Sequence, residues 1–364
     1  MTSPLLTPLE LAPGRLAPNR VWLAPMTNLQ SHDDGTLSDA EHAWLARRAE
    51  GGFGVVETCA AFVAQDGKAW PGQLGIARDE HELGLSRLAR TLRGHRAIGI
   101  VQLFHGGARA PSTVSGSAPW SASTWSEDTP GFEPPRAAAE ADLRRVIGAF
   151  RDAAVRAVRA GFDGVELHAA HGYLLSQFLS RTMNLRDDGW GGDLAGRARL
   201  LRECTRAVRS AVPEGFAVGV RLSPEDFGQA RGLDIDESLE VATQLARDGV
   251  DFLHLSLWDA EKNTKKRPDA HPVPLFRQAV PVRVRLVAAG GVWTRAQAEA
   301  LLDRGADFVA LGRASVGNPD WPRRVVDPWW VPARPPYTVE DLAAVAVSRP
   351  FADYLRRWKG FVAE

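Results

Sequence analysis

Short apolar runs alternate with longer helical patterns along nearly the whole chain, and this alternation restricts the fold more than any other feature. The runs are Val21–Met26, Val55–Thr58, Ile98–Phe104, Val165–Leu167, Phe216–Leu222, Phe252–Leu257, Val284–Ala289 and Phe308–Leu311. Each is too short for a surface helix, and glycines or polar turn residues punctuate the boundaries. Helical patterns over Ser38–Glu50, Glu80–Arg93, Asp142–Ala160, Leu194–Val212, Ile235–Arg247 and Arg295–Arg304 follow most of them. In the strongest, Leu143, Val146, Ile147, Phe150, Ala154 and Val158 share one face. Ser38 with Glu41 three residues on marks a helix start, and Gly51-Gly52 marks its stop. A strand joined to the next through a helix lies parallel to it, and eight such units close into a (β/α)8 TIM barrel. An open doubly wound sheet is the rival, but no G-x-G-x-x-G follows an early strand.

Two segments fall outside the alternation. His105 to Pro135, rich in Pro, Ser, Gly and Trp, is too long for a connector and reads as a functional excursion after the third strand. Thr338 to Val362 reads as a helical tail, packed outside the barrel or on another subunit. The expected division is therefore a barrel over 1–330 and a C-terminal helical extension over 331–364. A dimer is expected if Tyr354, Leu355 and Trp358 need a partner for burial.

Composition narrows the function. A chain of 364 residues, 45% apolar and 24% charged, can bury a large core. Its 44 basic and 44 acidic residues cancel, so no global field favours nucleic acid or an anionic membrane. No stretch approaches transmembrane length and no signal-type leader is visible, so a cytoplasmic enzyme is expected. Cys59 and Cys204 are the only cysteines, which excludes a disulfide framework and a cysteine-ligated iron–sulfur cluster.

Chemistry concentrates at one strand end. Gly161-Phe162-Asp163-Gly164-Val165-Glu166-Leu167-His168-Ala169-Ala170-His171-Gly172-Tyr173 reads as a helix stop, a buried strand, then two histidines and a tyrosine. Residues three apart face opposite ways on a straight strand. If the chain turns after His168, both imidazoles converge, with Tyr173 a step further on. Two N–H donors and a phenol would then form a site for a carbonyl-type oxygen beside a proton source. The alternative is that one histidine merely caps the next element.

Barrel active sites lie at the C-terminal ends of the strands. Those ends supply Pro25-Met26-Thr27, Thr58-Cys59-Ala60, Gln102, His168 with His171, Arg221, Ser256, Gly290-Gly291 and Gly312-Arg313. The last two pairs offer backbone amides and a guanidinium to a phosphate, although Gly290-Gly291 alone could be a tight turn. Arg221 inside the barrel mouth needs an anionic partner. Gln102 has both donor and acceptor, which suits an amide-rich heterocycle. His105 and His254 also lie near strand ends, where a structural hydrogen-bonding role suffices.

These residues, in this order, resemble the old yellow enzyme family of FMN-dependent ene-reductases, from about Pro18 to Arg324. The matching stretches are Asn19-Arg20-Val21, Ala24-Pro25-Met26-Thr27, Gln102-Leu103 with His105-Gly106-Gly107, and Gly161 to Leu175. Asn184-Leu185-Arg186-Asp187, Gly191-Gly192, Arg221-Leu222-Ser223-Pro224, Leu311-Gly312-Arg313 and Asn318-Pro319-Asp320 complete them. The resemblance implies one tightly bound, non-covalent FMN, reduced by NADPH or NADH and reoxidised by a small alkene activated by a carbonyl or nitro group. It implies that Pro25, Met26 and Thr27 lie along the flavin and Ala60 against it. It also places Gln102 at the pyrimidine edge, Arg221 beside N1–C2=O, and Gly291, Gly312 and Arg313 around the phosphate. His168 and His171 would bind the substrate oxygen, and Tyr173 would donate the proton. The chain departs from parts of the family in having Thr27 rather than cysteine, Leu29 rather than a pocket tyrosine, and Trp190 rather than tyrosine. A redox isomerase on the same scaffold and a flavin-free phosphate-binding lyase are the competing readings; the lyase would normally need a lysine or paired carboxylates inside.

Overall fold

The computed structural model describes residues 3–128 and 131–364; Thr129 and Pro130 of the long excursion lie outside them. Eight strands form the barrel: β1 Val21–Leu23, β2 Val55–Glu57, β3 Ile98–Phe104, β4 Gly164–Ala169, β5 Ala217–Leu222, β6 Phe252–Ser256, β7 Arg285–Ala289 and β8 Phe308–Leu311. All neighbouring pairs are parallel, and the β8–β1, β1–β2 and β2–β3 pairings close the ring. Helices α1 Asp39–Glu50, α2 Glu82–Gly94, α3 Glu140–Ala160, α4 Leu194–Ala211, α5 Ile235–Arg247, α6 Pro272–Ala279 and α7 Arg295–Asp303 surround it.

The period of two along each strand sorts the side chains. Val165, Leu167, Val218, Val220, Leu253 and Leu255 face outward into the layer beneath the helices, where Leu143, Val146 and Phe150 of α3 meet them. Trp22, Val55, Ile98, Ile100, Ala217, Phe252, Val287 and Phe308 face inward and fill the lower barrel. The Trp22 ring lies 5.1 Å from Phe252 and 5.8 Å from Phe308. A hairpin of Leu9–Ala12 and Arg15–Ala17 brings Leu11, Ala12 and Ala17 to the same cluster. With the lower half filled, any ligand space must lie at the other end, where the strands finish.

Several details differ from the sequence reading. Ser38 caps α1 as expected, accepting from the Glu41 amide, but the Glu41 carboxylate turns inward to Asn28 and Ser31. Helix α6 has no counterpart in the sequence reading; its Pro272 sits in the first turn, where no amide is needed, and His271 caps it. The tail is not one helix. It breaks into α8 Val339–Ala344 and α9 Arg349–Leu355, the second starting at the Ser348-Arg349-Pro350 stretch. Phe351 packs edge-on against Trp44 of α1 at 5.0 Å, and Arg48 donates to the Val345 carbonyl at 2.5 Å. Phe351 and Leu355 are thus buried by the chain's own barrel, while Trp358 stays 41% exposed. Among the described residues, no helix is long and apolar enough to cross a membrane.

Candidate active site

The strand ends open into a cavity of about 320 Å³. Pro25, Met26, Thr27, Ala60, Gln102, His168, His171, Tyr173, Arg221, Gly291, Gly312 and Arg313 all line it. Residues spread over nearly 290 positions of sequence (313 minus 25) therefore share one wall. The tail contributes Phe351, Tyr354, Leu355 and Trp358, which the sequence reading placed in packing or a subunit contact.

His168 ends β4 on the inner face, two positions after Glu166. The chain then turns sharply: His171 has φ 59° and Gly172 φ 72°. A side chain at Gly172 would meet the Gln229 carbonyl at 2.1 Å, so only glycine fits this turn. The turn carries the His171 ring back to within 5.0 Å of His168, and Tyr173 lies 5.1 Å from His168. Phe104, at 4.4 Å from the Tyr173 ring, supports its position.

Hydrogen bonds bear on which imidazole nitrogens carry protons. The Ala170 amide donates to His168 Nδ1 at 3.3 Å, leaving Nε2–H as the donor of that ring. His171 Nε2 lies 2.6 Å from Ser256 Oγ, which also receives Arg221 Nη2 at 3.3 Å. A hydroxyl has one proton and two acceptor lone pairs, so Ser256 is compatible with either His171 tautomer; where it donates to Nε2, the ring proton sits on Nδ1. Burial, with Arg221 and Arg109 nearby, holds both histidines well below the ordinary imidazole value. They are neutral donors, one N–H each.

Below the histidines lies a polar layer inside the barrel. Glu166 Oε1 accepts from Gln102 Nε2 at 2.7 Å, and Oε2 faces His254 Nδ1 at 2.8 Å. Glu57 Oε2 accepts from Trp22 Nε1 at 2.8 Å. Both glutamates and His254 are fully enclosed. Burial and the neighbouring Glu166 charge push the Glu57 carboxyl well above its ordinary value, and its Oε1 has no hydrogen-bond partner among the described residues. Against the cost of burial, His254 and Arg221 hold the Glu166 carboxyl below its ordinary value. Arg221 feels the Glu166 and Glu57 carboxyls across the barrel, but its one side-chain hydrogen bond among the described residues goes to Ser256. His254 has the structural bonding role expected for it. The two glutamates were missed, although Glu166 stands two positions before His168 on an alternating strand and so must face inward.

Arg221, Arg313, Gly291 and Gly312 line another side of the cavity. Arg221 is 6% exposed and its Nε has no partner. Gly291 has φ 66°, and a side chain there would point toward Arg313 Nη2 at 3.8 Å. Gly312 passes Met26, whose sulfur would lie 3.5 Å from an added Cβ. The excursion takes a supporting role: Trp120 bonds to Asp66, which also meets His105 and Arg145. Trp190 is buried, bonds to Glu140 and carries Arg199 over its ring.

Comparison with known proteins agrees with this geometry. Residues 4–328 match the NADH:flavin oxidoreductase / NADH oxidase family. A probable NADH-dependent flavin oxidoreductase, YqiG, of Bacillus subtilis (strain 168) is 36% identical over 332 residues, 88% of this chain and 87% of that protein. The NADH:fumarate oxidoreductase of Klebsiella pneumoniae (strain 342) is 35% identical over 88% of this chain, which spans only 36% of that longer protein. Among solved structures, an old yellow enzyme homologue from Zymomonas mobilis superposes with a TM-score of 0.80 at 27% identity, covering 93% and 96% of the two chains. A 2-naphthoyl-CoA reductase gives 0.83 at 26% identity, covering 90% of this chain and 53% of that one. Barrel, strand-end cavity and sequence similarity agree: the chain belongs to the NADH:flavin oxidoreductase / NADH oxidase family and has the architecture of an old yellow enzyme.

Proposed function

We propose that this protein is an FMN-dependent NAD(P)H oxidoreductase that reduces the C=C bond of alkenes activated by a carbonyl or nitro group. The observation that carries the reading is the His168–His171–Tyr173 cluster facing the same cavity as Arg221, Gly291, Gly312 and Arg313.

The residues present fit FMN. The unpartnered Arg221 Nε seeks an acceptor of partial negative charge, as the N1–C2=O side of a flavin supplies. Gln102, with its amide nitrogen committed to Glu166, keeps a carbonyl for a ring N–H. Gly291, Gly312 and Arg313 suit the phosphate, Pro25, Met26 and Thr27 one edge of the ring, and Ala60 close contact with it. When bound, FMN would accept hydride from NADH or NADPH and return it to the alkene β-carbon.

The protein's own groups do the rest. His168 Nε2–H and His171 Nδ1–H hold the carbonyl or nitro oxygen and stabilise the negative charge that develops there. Because both rings are neutral, they polarise the oxygen without protonating it. Tyr173 delivers the proton to the α-carbon; a phenol is a weak acid in water, but the acceptor is an enolate-like carbon. Arg221 offsets the charge of the reduced cofactor. The extension over 331–364 is assigned as a wall of the barrel's site rather than a separate unit, since Tyr354 and Trp358 face the cavity.

The test is an anaerobic absorption spectrum before and after NADPH, then after 2-cyclohexenone. Flavin absorption should bleach with NADPH and return with the enone. Bleaching without return would move the substrate elsewhere, and protein that takes up no FMN would overturn the reading.

A further inference from the structure

A second cavity of about 320 Å³ shares Thr27, Trp70, Tyr173 and Tyr354 with the first and adds Leu29, Arg109 and Arg357. Charges around the two cavities are one-sided. Arg109, Arg221, Arg313 and Arg357 line them, and no aspartate or glutamate does among the described residues. The cofactor assigned above accounts for Arg221 and Arg313. Arg109 and Arg357 then face the substrate side with nothing to neutralise them.

Neither has a carboxylate within 4.0 Å among the described residues, whereas Arg145, Arg197 and Arg202 are each paired. Arg109 is also held in place. Its Nη1 donates to the His171 carbonyl at 2.7 Å, and its guanidinium carbon stands 4.3 Å from the centre of the Tyr173 ring. One of its five donors is thus used, and the planar fork remains for an acceptor. Arg357 arrives from the tail, 5.2 Å over the Tyr354 ring. The half-buried, anchored Arg109 and the exposed Arg357 thus bring two positive charges to the same chamber as Tyr173.

We propose that this outer chamber is an anion site, in which Arg109 and Arg357 hold a carboxylate or phosphate of the ligand whose reacting end lies at His168 and His171. The substrate class is then an activated alkene bearing a remote anionic group. This rests on the alkene-reductase reading, and the same chemistry would also serve a phosphate of the nicotinamide cofactor, which uses the same site. Leu29, Ala69, Trp70 and Pro71 supply the apolar walls for the carbon frame between the two ends.

The experiment uses (E)-4-oxopent-2-enoate and its methyl ester, which differ by one negative charge. Reduced holoenzyme is reoxidised by each in a stopped-flow instrument. Flavin reduction by NADH, NADPH and reduced nicotinamide mononucleotide is followed separately. Arg357→Gln should lower the second-order rate constant for the carboxylate about 10- to 100-fold and leave the ester within about 3-fold; Arg109→Gln, which also frees the His171 carbonyl, should slow both, the carboxylate by about tenfold more than the ester. Arg109→Lys should restore most of the loss, and added salt should slow only the carboxylate. A loss confined to NADH and NADPH, absent with the mononucleotide, would assign the anion to the adenosine side of the cofactor and still support the site. Unchanged rates in both half-reactions would overturn it. Reoxidation by neither alkene would instead refute the reductase reading. Calorimetry of the oxidised holoenzyme with the carboxylate and the ester then decides the anion site by itself. A carboxylate preference that disappears in the exposed, freely substitutable Arg357→Gln supports it; equal binding, or a preference that the variant keeps, overturns it.

Discussion

Gln102 on β3 and Glu166 on β4 face each other in register, and the Gln102 amide nitrogen donates to the Glu166 carboxylate at 2.7 Å. A carboxylate only accepts, so this one bond fixes which end of the amide is left for the cavity. Glu166 also faces His254 Nδ1 at 2.8 Å. One enclosed carboxylate therefore orients two side chains, and one of them lines the cavity.

Glu166→Gln should show both consequences. Glutamine cannot accept from both Gln102 and His254 as the carboxylate does, and a buried polar group left unsatisfied is expected to destabilise the apoprotein by about 1–3 kcal/mol in urea denaturation. FMN affinity, followed by quenching of flavin fluorescence, should weaken about tenfold or more as the Gln102 amide loses its fixed direction. Unchanged stability and affinity would mean that the polar layer is inert.

Ser256 is expected to set the His171 tautomer. Ser256→Ala removes the donor to Nε2 and lets the proton move there, misdirecting one of the two N–H groups. The apparent affinity for an enone should fall roughly tenfold, while the rate of flavin reduction by NADPH changes little. Equal losses in both half-reactions would indicate general damage to the site.

Tyr173→Phe separates the proton from the hydride. Alkene reduction should drop by about 10²- to 10⁴-fold, the range for loss of a positioned acid, with the NADPH half-reaction preserved. Retention of full turnover would place the proton source in water or in Tyr354.

Stability should depend on pH through the same histidines. His168 and His171 are held well below 6.5 in the fold, chiefly by burial. The unfolded chain binds protons at the ordinary value and so binds more of them below it. Their contribution is complete above about 6.5 and is lost as pH falls from there toward the lowered folded values. Thermal melts between pH 8 and about 5 should show the midpoint falling with acid, less steeply in His168→Asn. A flat profile would mean that the rings bind protons equally in the folded and unfolded chain.

The barrel was legible because its signal is periodic and repeated. Ile98–Phe104, Ile235–Arg247 and Phe308–Leu311 have the bounds that the apolar pattern gives. The convergence of His168 and His171 depended on a turn that the sequence only permits, and the positive φ of His171 supplies it. Helix α6 escaped because it spans only eight residues and two of its first three are proline, which reads as a turn. Glu57 and Glu166 escaped for a different reason. A carboxylate on a strand ordinarily argues for solvent, and only closure of the barrel turns that face inward. The tail's place in the site was equally hidden, because a contact between Phe351 and Trp44 joins positions with no local relation.

That tail has a meaning for how such a protein changes over time. Helix α9 is clipped to α1 by Phe351 and carries Tyr354, Leu355 and Trp358 across the mouth of the cavity. The strands that would hold the cofactor are locked by eightfold pairing, so a substitution there disturbs the whole ring. The last turns of the chain stand outside that ring, held by Trp44, by Gln30 through Ser348, and by the tail's own Tyr337. Selection, or a library built on residues 354, 357 and 358, can therefore reshape what the enzyme accepts while its redox machinery stays untouched.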